Sequence, residues 1–220
     1  MSACFITATG TGIGKTHLTT ALCRELSGQG RAVNALKPLI TGYDASDAQS
    51  DTALILQSLG RPVTPQTVEQ MSPWRFAAPL SPDMAAGQEG RSVDFDALVA
   101  YCRDAQRRDE LLFVEGVGGI MAPLDARHTV LDWMVALGWP VLLVAGTYLG
   151  TLSHALTALT VLAAKGVPVQ AVVLNESAES TAPASALAKS LQRFMLPGVP
   201  LVVLPRQGRA PSLAGSLGLC

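Results

Sequence analysis

The chain has 220 residues, of which 49% are hydrophobic and 15% are charged, and its formal net charge is −1. This length and apolar content suit a protein with a substantial core and exclude a disordered chain. The nearly balanced charge gives no basic surface of the kind that binds nucleic acid, so we expect no nucleic-acid partner. The four cysteines have no metal-site or redox-pair spacing and are typical of a reducing compartment. Because no signal-peptide pattern precedes the first apolar run, we predict a cytoplasmic protein.

Apolar runs of strand length alternate with helical patterns along the chain. The predicted strands lie at residues 4–7, 32–37, 111–115, 141–145, 169–174 and 201–204. The predicted helices lie at residues 15–27, 51–59, 95–107, 130–137, 151–165 and 183–195. Uninterrupted apolar runs suit strands that are covered on both faces. The alternation therefore predicts an α/β fold, with one doubly wound, mostly parallel sheet and helices on both faces, in a single domain over residues 1–220. We expect residues 41–94, rich in Pro, Gly, Ser and Asp, to be irregular around one helix.

The segment from residue 133 to residue 164 contains no Asp, Glu, Lys or Arg, and its length would suffice for a membrane helix. However, Gly138, Pro140, Gly146 and Gly150 divide it into pieces of strand or short-helix length. We therefore predict a helix end, a buried strand, a loop and a helix rich in small residues, with no membrane partner.

Residues 9–16, Thr-Gly-Thr-Gly-Ile-Gly-Lys-Thr, follow the first predicted strand and open the first predicted helix. A strand, a glycine-rich loop, Lys-Thr and a helix are the layout of a phosphate-binding loop. Glycines let several backbone N–H groups point at a polyphosphate, and the helix adds the positive end of its dipole. Lys15 could reach the β- and γ-phosphates, and Thr16 could bind Mg²⁺. The loop therefore predicts a site for a nucleoside polyphosphate with Mg²⁺.

The loop also has other interpretations. Thr9 stands where the strict phosphate-loop pattern has glycine, and Gly10 and Gly12 could supply the flexibility instead. The dinucleotide-binding fingerprint does not fit, because Lys15 stands three residues after Gly12, where that fingerprint has glycine. The remaining alternative is a glycine-rich turn without a ligand. Gly-Lys-Thr at the start of a helix directly after a strand favours the phosphate-binding loop.

Charged residues end two of the predicted strands, at the edge where parallel sheets bind ligands. Lys37 precedes Pro38, which ends regular strand pairing. Lys37 could be a second cation at a transferred phosphoryl group, or a surface lysine that closes a strand. Glu115 follows four apolar residues and resembles the acidic motif that holds Mg²⁺ in phosphate-loop nucleotidases. An ordinary paired acid at a strand end is the alternative for Glu115, and we favour the Mg²⁺ role.

Three further positions have both functional and structural interpretations. Asp51, beside Ser50, could be a second Mg²⁺ carboxylate or part of an ordinary helix cap. Asn175 ends a predicted strand and could read a purine edge with its paired donor and acceptor, or it could be a turn residue. The helix predicted after residues 146–150 could bind a carboxylate at its N-terminus, whereas we interpret His154 as structural.

Together these motifs resemble those of the dethiobiotin synthetase family, within the P-loop NTPase superfamily. The matching segments lie at residues 9–16, 37–38, 41–42, 50–57, 81–82, 114–119, 123–124, 132–133, 149–150, 154 and 175. They cover most of residues 5–176 in the order and near the spacing of the family. The Lys-Pro and Glu-Gly-x-Gly-Gly elements are the most specific. The sequence departs from the family pattern at Ala8, Gly10, Gly12 and Glu176, and it matches weakly after Asn175.

The resemblance implies an ATP-dependent ligase of biotin biosynthesis. One amine of 7,8-diaminopelargonic acid is carboxylated with CO₂, and the γ-phosphoryl group of ATP moves to the carbamate. The second amine then closes the ureido ring, which gives dethiobiotin, ADP and phosphate. The nucleophile belongs to the substrate, so no covalent enzyme intermediate is implied. The family also implies a homodimer whose substrate site is shared across the interface.

The resemblance assigns roles to individual residues. The implied catalytic residues are Thr11, Lys15 and Lys37. The implied nucleotide-binding residues are Gly12, Ile13, Gly14, Lys15, Thr16, His17, Glu115, Gly116, Val117, Gly118, Asn175, Pro205 and Arg206. The implied substrate-binding residues are Thr41, Leu149, Gly150, Thr151, Leu152 and Ser153. The implied Mg²⁺ ligands are Thr16, Asp51 and Glu115.

Two other classes of protein share this nucleotide-binding core and are the alternatives. An amidating synthetase of the cobyrinic acid type would carry a glutamine-hydrolysing domain, for which this chain is too short and has no identifiable cysteine–histidine arrangement. A partition- or septum-placing ATPase switch usually carries a second lysine early in the loop, where this chain has Thr9, Gly10 and Thr11.

Overall fold

The computed structural model describes residues 3–180, 182–195, 197–206 and 212–219. Within these ranges the strands are β1 (Ala3–Ala8), β2 (Val33–Leu36), β3 (Leu39–Thr41), β4 (Trp74–Phe76), β5 (Leu111–Glu115), β6 (Val141–Ala145), β7 (Val169–Asn175) and β8 (Leu201–Leu204). The helices are α1 (Lys15–Gly28), α2 (Asp51–Ser58), α3 (Pro65–Met71), α4 (Pro82–Gln88), α5 (Phe95–Asp104), α6 (Val130–Leu137), α7 (Thr151–Ala164), α8 (Ala184–Gln192) and α9 (Leu213–Ser216).

The main sheet has six strands in the order β2-β5-β1-β6-β7-β8, and every pairing in it is parallel. All residues of β1, β5 and β6 are buried, so both faces of these strands are covered, and apart from Thr7 and Glu115 their residues are apolar. In the core, the ring of Phe5 meets the ring of Trp133 edge to face at 4.9 Å. Burial of a side chain such as Phe5 contributes about 1.5–3 kcal/mol. The predicted α/β class and parallel sheet are confirmed.

The strand order brings three chain segments together at one edge of the sheet. Strand β5 lies between β1 and β2, with Ile6 paired to Glu115 and Leu36 paired to Val114. Consequently the glycine-rich loop after β1, residue Lys37 after β2 and the last residue of β5 meet at the carboxyl ends of the strands. This is the edge where open α/β sheets bind ligands.

Residues 41–94 are more regular than the sequence predicts. The prediction of one helix is wrong, because the segment contains α2, α3 and α4 as well as β4, which pairs in parallel with β3 in a separate sheet. Helix α3 has Thr64 as its cap and Pro65 in its first turn, and α4 has Pro82 in its first turn. Proline is favoured at that position, because a first-turn N–H has no partner within the helix.

The uncharged segment at residues 133–164 folds as predicted, into the end of α6, strand β6 and helix α7. Gly138 ends α6 with φ +68°, and Gly150 precedes α7 with φ +94°. Within the described ranges, we find no helix whose length and apolar character would let it cross a membrane.

Candidate active site

The glycine-rich loop between β1 and α1 is held in one conformation by its neighbours. Gly12 and Gly14 have φ values of +71° and +105°, which residues with a side chain rarely adopt. Asn175, at the end of β7, donates from Nδ2 to the carbonyl oxygen of Ile13 at 2.9 Å. A Cβ atom on Gly14 would lie 2.1 Å from that nitrogen. The loop therefore requires glycine at position 14, and Asn175 stabilises it from the end of β7, two strands away from β1 in the sheet.

Lys15 opens α1, and its side chain lies between two glycine-rich segments. Its Nζ donates to the carbonyl oxygen of Gly118 at 2.8 Å and to that of Gly10 at 3.2 Å. Burial, followed by the ammonium group of Lys37, lowers the pKa of Lys15 to about 8, against the opposing effect of Glu115 and Asp51. Lys15 thus places a cation at the loop whose charge is sensitive to pH near 8.

Lys37 is buried beside two carboxylates and is only 2% exposed. Its Nζ lies 2.8 Å from Glu115 Oε1 and 3.3 Å from Asp51 Oδ2, and it donates to the carbonyl oxygen of Gly116 at 2.8 Å. Burial lowers the pKa of Lys37, but Glu115 and then Asp51 outweigh that effect, so its pKa lies above the usual value. The surface-lysine interpretation is wrong, since Lys37 is a fixed interior cation.

The hydroxyl of Thr16 joins the same two carboxylates. Its Oγ1 lies 2.7 Å from Asp51 Oδ1 and 2.8 Å from Glu115 Oε1. The cap of α2 is Ser50, whose Oγ accepts a backbone N–H one turn later, which leaves the Asp51 side chain in this cluster. Burial raises the pKa of Asp51, but Lys37 and the Thr16 hydroxyl outweigh it, and the pKa lies below its usual value. Asp51 is therefore ionised near neutral pH.

These groups lie on or beside the wall of a cavity of about 890 Å³, which is within the size range of sites for drug-sized ligands. The predicted site residues on its wall are Thr11, Gly12, Gly14, Lys15, Thr16, Lys37, Thr41, Asp51, Val117 and Gly118. Apolar side chains, including Ile40, Leu80 and Val161, also line it. The cavity thus combines a cationic, amide-rich part with an apolar part.

Comparisons with known proteins identify the family. The model of a family described as an AAA domain matches residues 2–204. The ATP-dependent dethiobiotin synthetase of Methylobacterium nodulans is 47% identical, over 96% of this chain and 96% of its own length. The ATP-dependent dethiobiotin synthetase of Caulobacter sp. strain K31 is 49% identical, over 94% of this chain and 89% of its own length. The chain belongs to the dethiobiotin synthetase family.

The dethiobiotin synthetase fold is shared with other ATPases. The septum site-determining protein MinD of Pyrococcus horikoshii OT3, solved with Mg-ADP, has a TM-score of 0.54 over 93% of this chain and 81% of that chain. Its identity is 19%, so this likeness shows the fold alone. Family membership favours the synthetase over the septum-placing alternative, because the dethiobiotin synthetases are far more similar in sequence.

Five residues to which the dethiobiotin synthetase resemblance gives a substrate role lie at the start of α7. They are Leu149, Gly150, Thr151, Leu152 and Ser153, and they do not line the cavity of their own chain. The side chain of Leu149 is 83% exposed, whereas that of Thr151 is buried and donates to the carbonyl oxygen of Gly146 at 2.7 Å. Their role stays a prediction.

Seven residues predicted to bind the nucleotide do not line the cavity. Four of them belong to the glycine-rich loop or form hydrogen bonds with residues of the loop or of the cavity wall, namely Ile13, Glu115, Gly116 and Asn175. The other three are His17, Pro205 and Arg206. His17 is exposed on α1. Pro205 and Arg206 follow β8, where the backbone N–H of Arg206 donates to Glu176 Oε2 at 3.0 Å. A purine could contact His17, Pro205 or Arg206 only outside this cavity. The nucleotide-binding roles of these three residues therefore also stay predictions.

Some residues at the site had no role in the sequence interpretation. One set lies on α7, where His154, Thr157, Ala158 and Val161 line the cavity at the spacing of one helix face. Every helix has residues at this spacing, so the sequence alone does not mark α7 as a wall of the site, and only its position beside the cavity does. Thr19 is another such residue, and it contacts Glu115 from α1.

Proposed function

We propose that the protein is an ATP-dependent dethiobiotin synthetase, a ligase of biotin biosynthesis that acts in the cytoplasm. It joins 7,8-diaminopelargonic acid and CO₂ through a carbamate, with ATP as the phosphoryl donor. The observation that carries the proposal is the convergence of Lys15 and Lys37 at one cavity in a chain of this family. Charge develops on the transferred phosphoryl group and on the carbamate oxygens, and fixed cations stabilise such charge without reorganisation.

The phosphate loop supports binding of the ATP phosphates. Gly12 and Gly14 line the cavity with positive φ values, the kind of backbone with which such loops turn N–H groups toward a phosphate. The start of α1 adds a positive dipole end. In this proposal Lys15 contacts the terminal phosphates, and Thr11 and the segment of Gly116, Val117 and Gly118 border them. Asn175 acts at least partly through the loop, since its amide donates to Ile13.

The donor set of Thr16, Asp51 and Glu115 fits Mg²⁺. The described residues include no cluster of three His, Cys, Asp or Glu side chains that could hold a metal. However, Mg²⁺ is usually bound by one or two carboxylates together with waters and substrate phosphates. Two carboxylates and a hydroxyl converge here at 2.7 and 2.8 Å. When bound, Mg²⁺ would supply neutralisation of phosphate charge.

The remainder of the cavity suits the diamine substrate. Thr41 lies on the wall beside Ile40, so a polar group and an apolar surface are available to an aliphatic chain that carries amines. We propose that residues 149–153 of a second copy bind the substrate carboxylate at the start of α7, so that two copies share each site. Light scattering that gave only the 22.9 kDa mass of one chain at micromolar concentration would contradict this dimer.

The contact of Lys15 with phosphate predicts proton uptake on nucleotide binding. In the protein without nucleotide, Lys15 has a pKa of about 8, so near pH 8 about half of the molecules carry the ammonium. A bound phosphate raises that pKa, and binding of Mg·ADP at this pH is expected to take up as much as about half a proton. As the pH rises above 8, the ammonium is lost and the affinity for ADP falls.

Calorimetry in two buffers with different ionisation enthalpies measures this uptake. The matched variant is Lys15→Arg, whose guanidinium stays charged at all these pH values. It is expected to bind Mg·ADP without proton uptake. If the original protein bound Mg·ADP at pH 8 with no exchange of protons, the proposal that Lys15 contacts the phosphates would be wrong.

The product of the reaction tests the proposed function. With 7,8-diaminopelargonic acid, isotope-labelled bicarbonate and MgATP, we expect mass spectrometry to show a cyclic urea that carries the label. Release of phosphate should depend on the diamine. Phosphate release that is independent of the diamine but stimulated by DNA or lipid would favour the ATPase switch. Glutamine-dependent amidation would favour the cobyrinic acid type of synthetase.

A further inference from the structure

Thr19 lies on α1, one turn after Thr16, and is completely buried. Residues three apart on a helix share a face, so both hydroxyls point to the end of β5. Thr19 Oγ1 lies 2.7 Å from Glu115 Oε2, whereas Thr16 Oγ1 and Lys37 Nζ both lie 2.8 Å from Glu115 Oε1. The two oxygens of this carboxylate therefore have different partners.

The hydroxyl of Thr19 has one hydrogen and two acceptors within reach. One is the carbonyl oxygen of Lys15 at 3.0 Å, and the other is Glu115 Oε2 at 2.7 Å. A hydrogen bond to a charged acceptor is the shorter and stronger kind. Glu115 is 0% exposed, and a buried carboxylate oxygen without a donor is costly. The Thr19 hydroxyl therefore donates to Glu115 Oε2 in preference to the carbonyl oxygen of Lys15.

We infer that Thr19 is a positioning residue for the magnesium site: it fixes the rotation of the Glu115 carboxylate and so directs Oε1 toward Lys37 and toward the Thr16 hydroxyl, which also contacts Asp51. The inference rests on the proposed role of Glu115 as a Mg²⁺ ligand. Without the Thr19 hydroxyl, the carboxylate can turn until Oε2 shares the donors of Oε1. The outer partners of metal ligands typically change metal affinity or activity by about 10- to 100-fold when they are removed.

The test compares Thr19→Val, Thr19→Ala and Thr19→Ser with Thr20→Val. Thr20 is a matched control, because it is buried on the same helix but donates only to the carbonyl oxygen of His17 within α1, at 3.1 Å. Calorimetry measures the binding of ADP with Mg²⁺ and, separately, of ADP with a chelator. For each protein, the gain from Mg²⁺ is the affinity for ADP with Mg²⁺ divided by the affinity for ADP with chelator. We expect this gain to be about 10- to 100-fold smaller in Thr19→Val and Thr19→Ala than in the original protein. Thr19→Ser and Thr20→Val should keep that gain.

Binding of ADP in the presence of chelator shows for each variant that the phosphate loop is folded, and Thr19→Ala, which adds no bulk, serves if Thr19→Val does not fold. Equal gains from Mg²⁺ in Thr19→Ala and Thr20→Val would overturn the inference, as would a loss of the gain in Thr19→Ser. These measurements involve no diamine, so they are independent of product formation. A protein that binds Mg·ADP as expected but makes no cyclic urea would refute the proposed function and leave the role of Thr19 supported.

Discussion

Replacement of Lys37 by alanine is expected to slow formation of dethiobiotin by about 100- to 1000-fold, while binding of Mg·ADP changes little. The expected loss is that of a fixed donor at a site where negative charge develops. Binding should persist, because Glu115 and Asp51 then lose their cation and remain available to Mg²⁺. Single-turnover rates at saturating MgATP and diamine, together with calorimetry of Mg·ADP, separate the two effects.

The same substitution is expected to destabilise the protein without ligand. Removal of one partner from a buried ion pair costs about 3–5 kcal/mol, since a buried charge is left uncompensated. Kinetics should therefore be measured where thermal unfolding shows that the variant is folded with Mg·ADP. Lys165→Ala is the control, because this exposed lysine follows α7 outside the cavity. Near-normal turnover of Lys37→Ala would exclude the proposed role of Lys37.

The central strands could be predicted from the sequence because burial on both faces leaves an uninterrupted apolar run. The predicted bounds of the strand at 111–115 and of the strand at 141–145 agree with β5 and β6. The first residues of α1 and α2 were also predictable, since a glycine-rich loop and a serine cap precede them. Half of the residues of the edge strands β2 and β8 are only partly buried. The strand predicted at 201–204 nevertheless agrees with β8, and the one predicted at 32–37 exceeds β2 by one residue at each end.

Residues 41–94 were harder to predict because their elements are short. Strands β3 and β4 have three residues each and are defined by their pairing with one another, which a local pattern does not show. The starts of α3 and α4 did have local signals, in Thr64-Pro65 and Ser81-Pro82. The composition of the segment concealed them, since Pro and Ser were counted as loop residues and not as helix starts.

At the site, the residue types could be predicted but several of their contacts could not. Whether Lys37 was a surface residue depended on the order β2-β5-β1, which places it beside Glu115. Strand order is not contained in the local pattern of either strand. Similarly, the contact of Thr19 with Glu115 depends on the packing of α1 over the end of β5. This packing places Thr19 Oγ1 2.7 Å from Glu115 Oε2.

Replacement of Gly14 by alanine is expected to reduce the affinity for Mg·ADP by about 100-fold or more. Two effects combine, because φ of +105° is strained for any residue with a side chain and the new Cβ would lie 2.1 Å from Asn175 Nδ2. Either the loop or the Asn175 side chain must move. A displacement of about 1 Å at such a site can cost about 100-fold. Calorimetry gives the affinity, and thermal unfolding reports the stability.

Two further variants separate the strain from the clash. Gly30→Ala introduces the same side chain at φ +73°, where no atom lies within 4 Å, so it should lose about 1–2 kcal/mol of stability and keep its affinity for ADP. Gly14→Ala combined with Asn175→Ala removes the clash but keeps the strain, so it should bind ADP no more weakly than Gly14→Ala alone. Affinity of Gly14→Ala equal to that of Gly30→Ala would mean that the loop tolerates movement at position 14. In that case the hydrogen bond from Asn175 to the carbonyl oxygen of Ile13 would not be needed to hold the phosphate-binding loop in place.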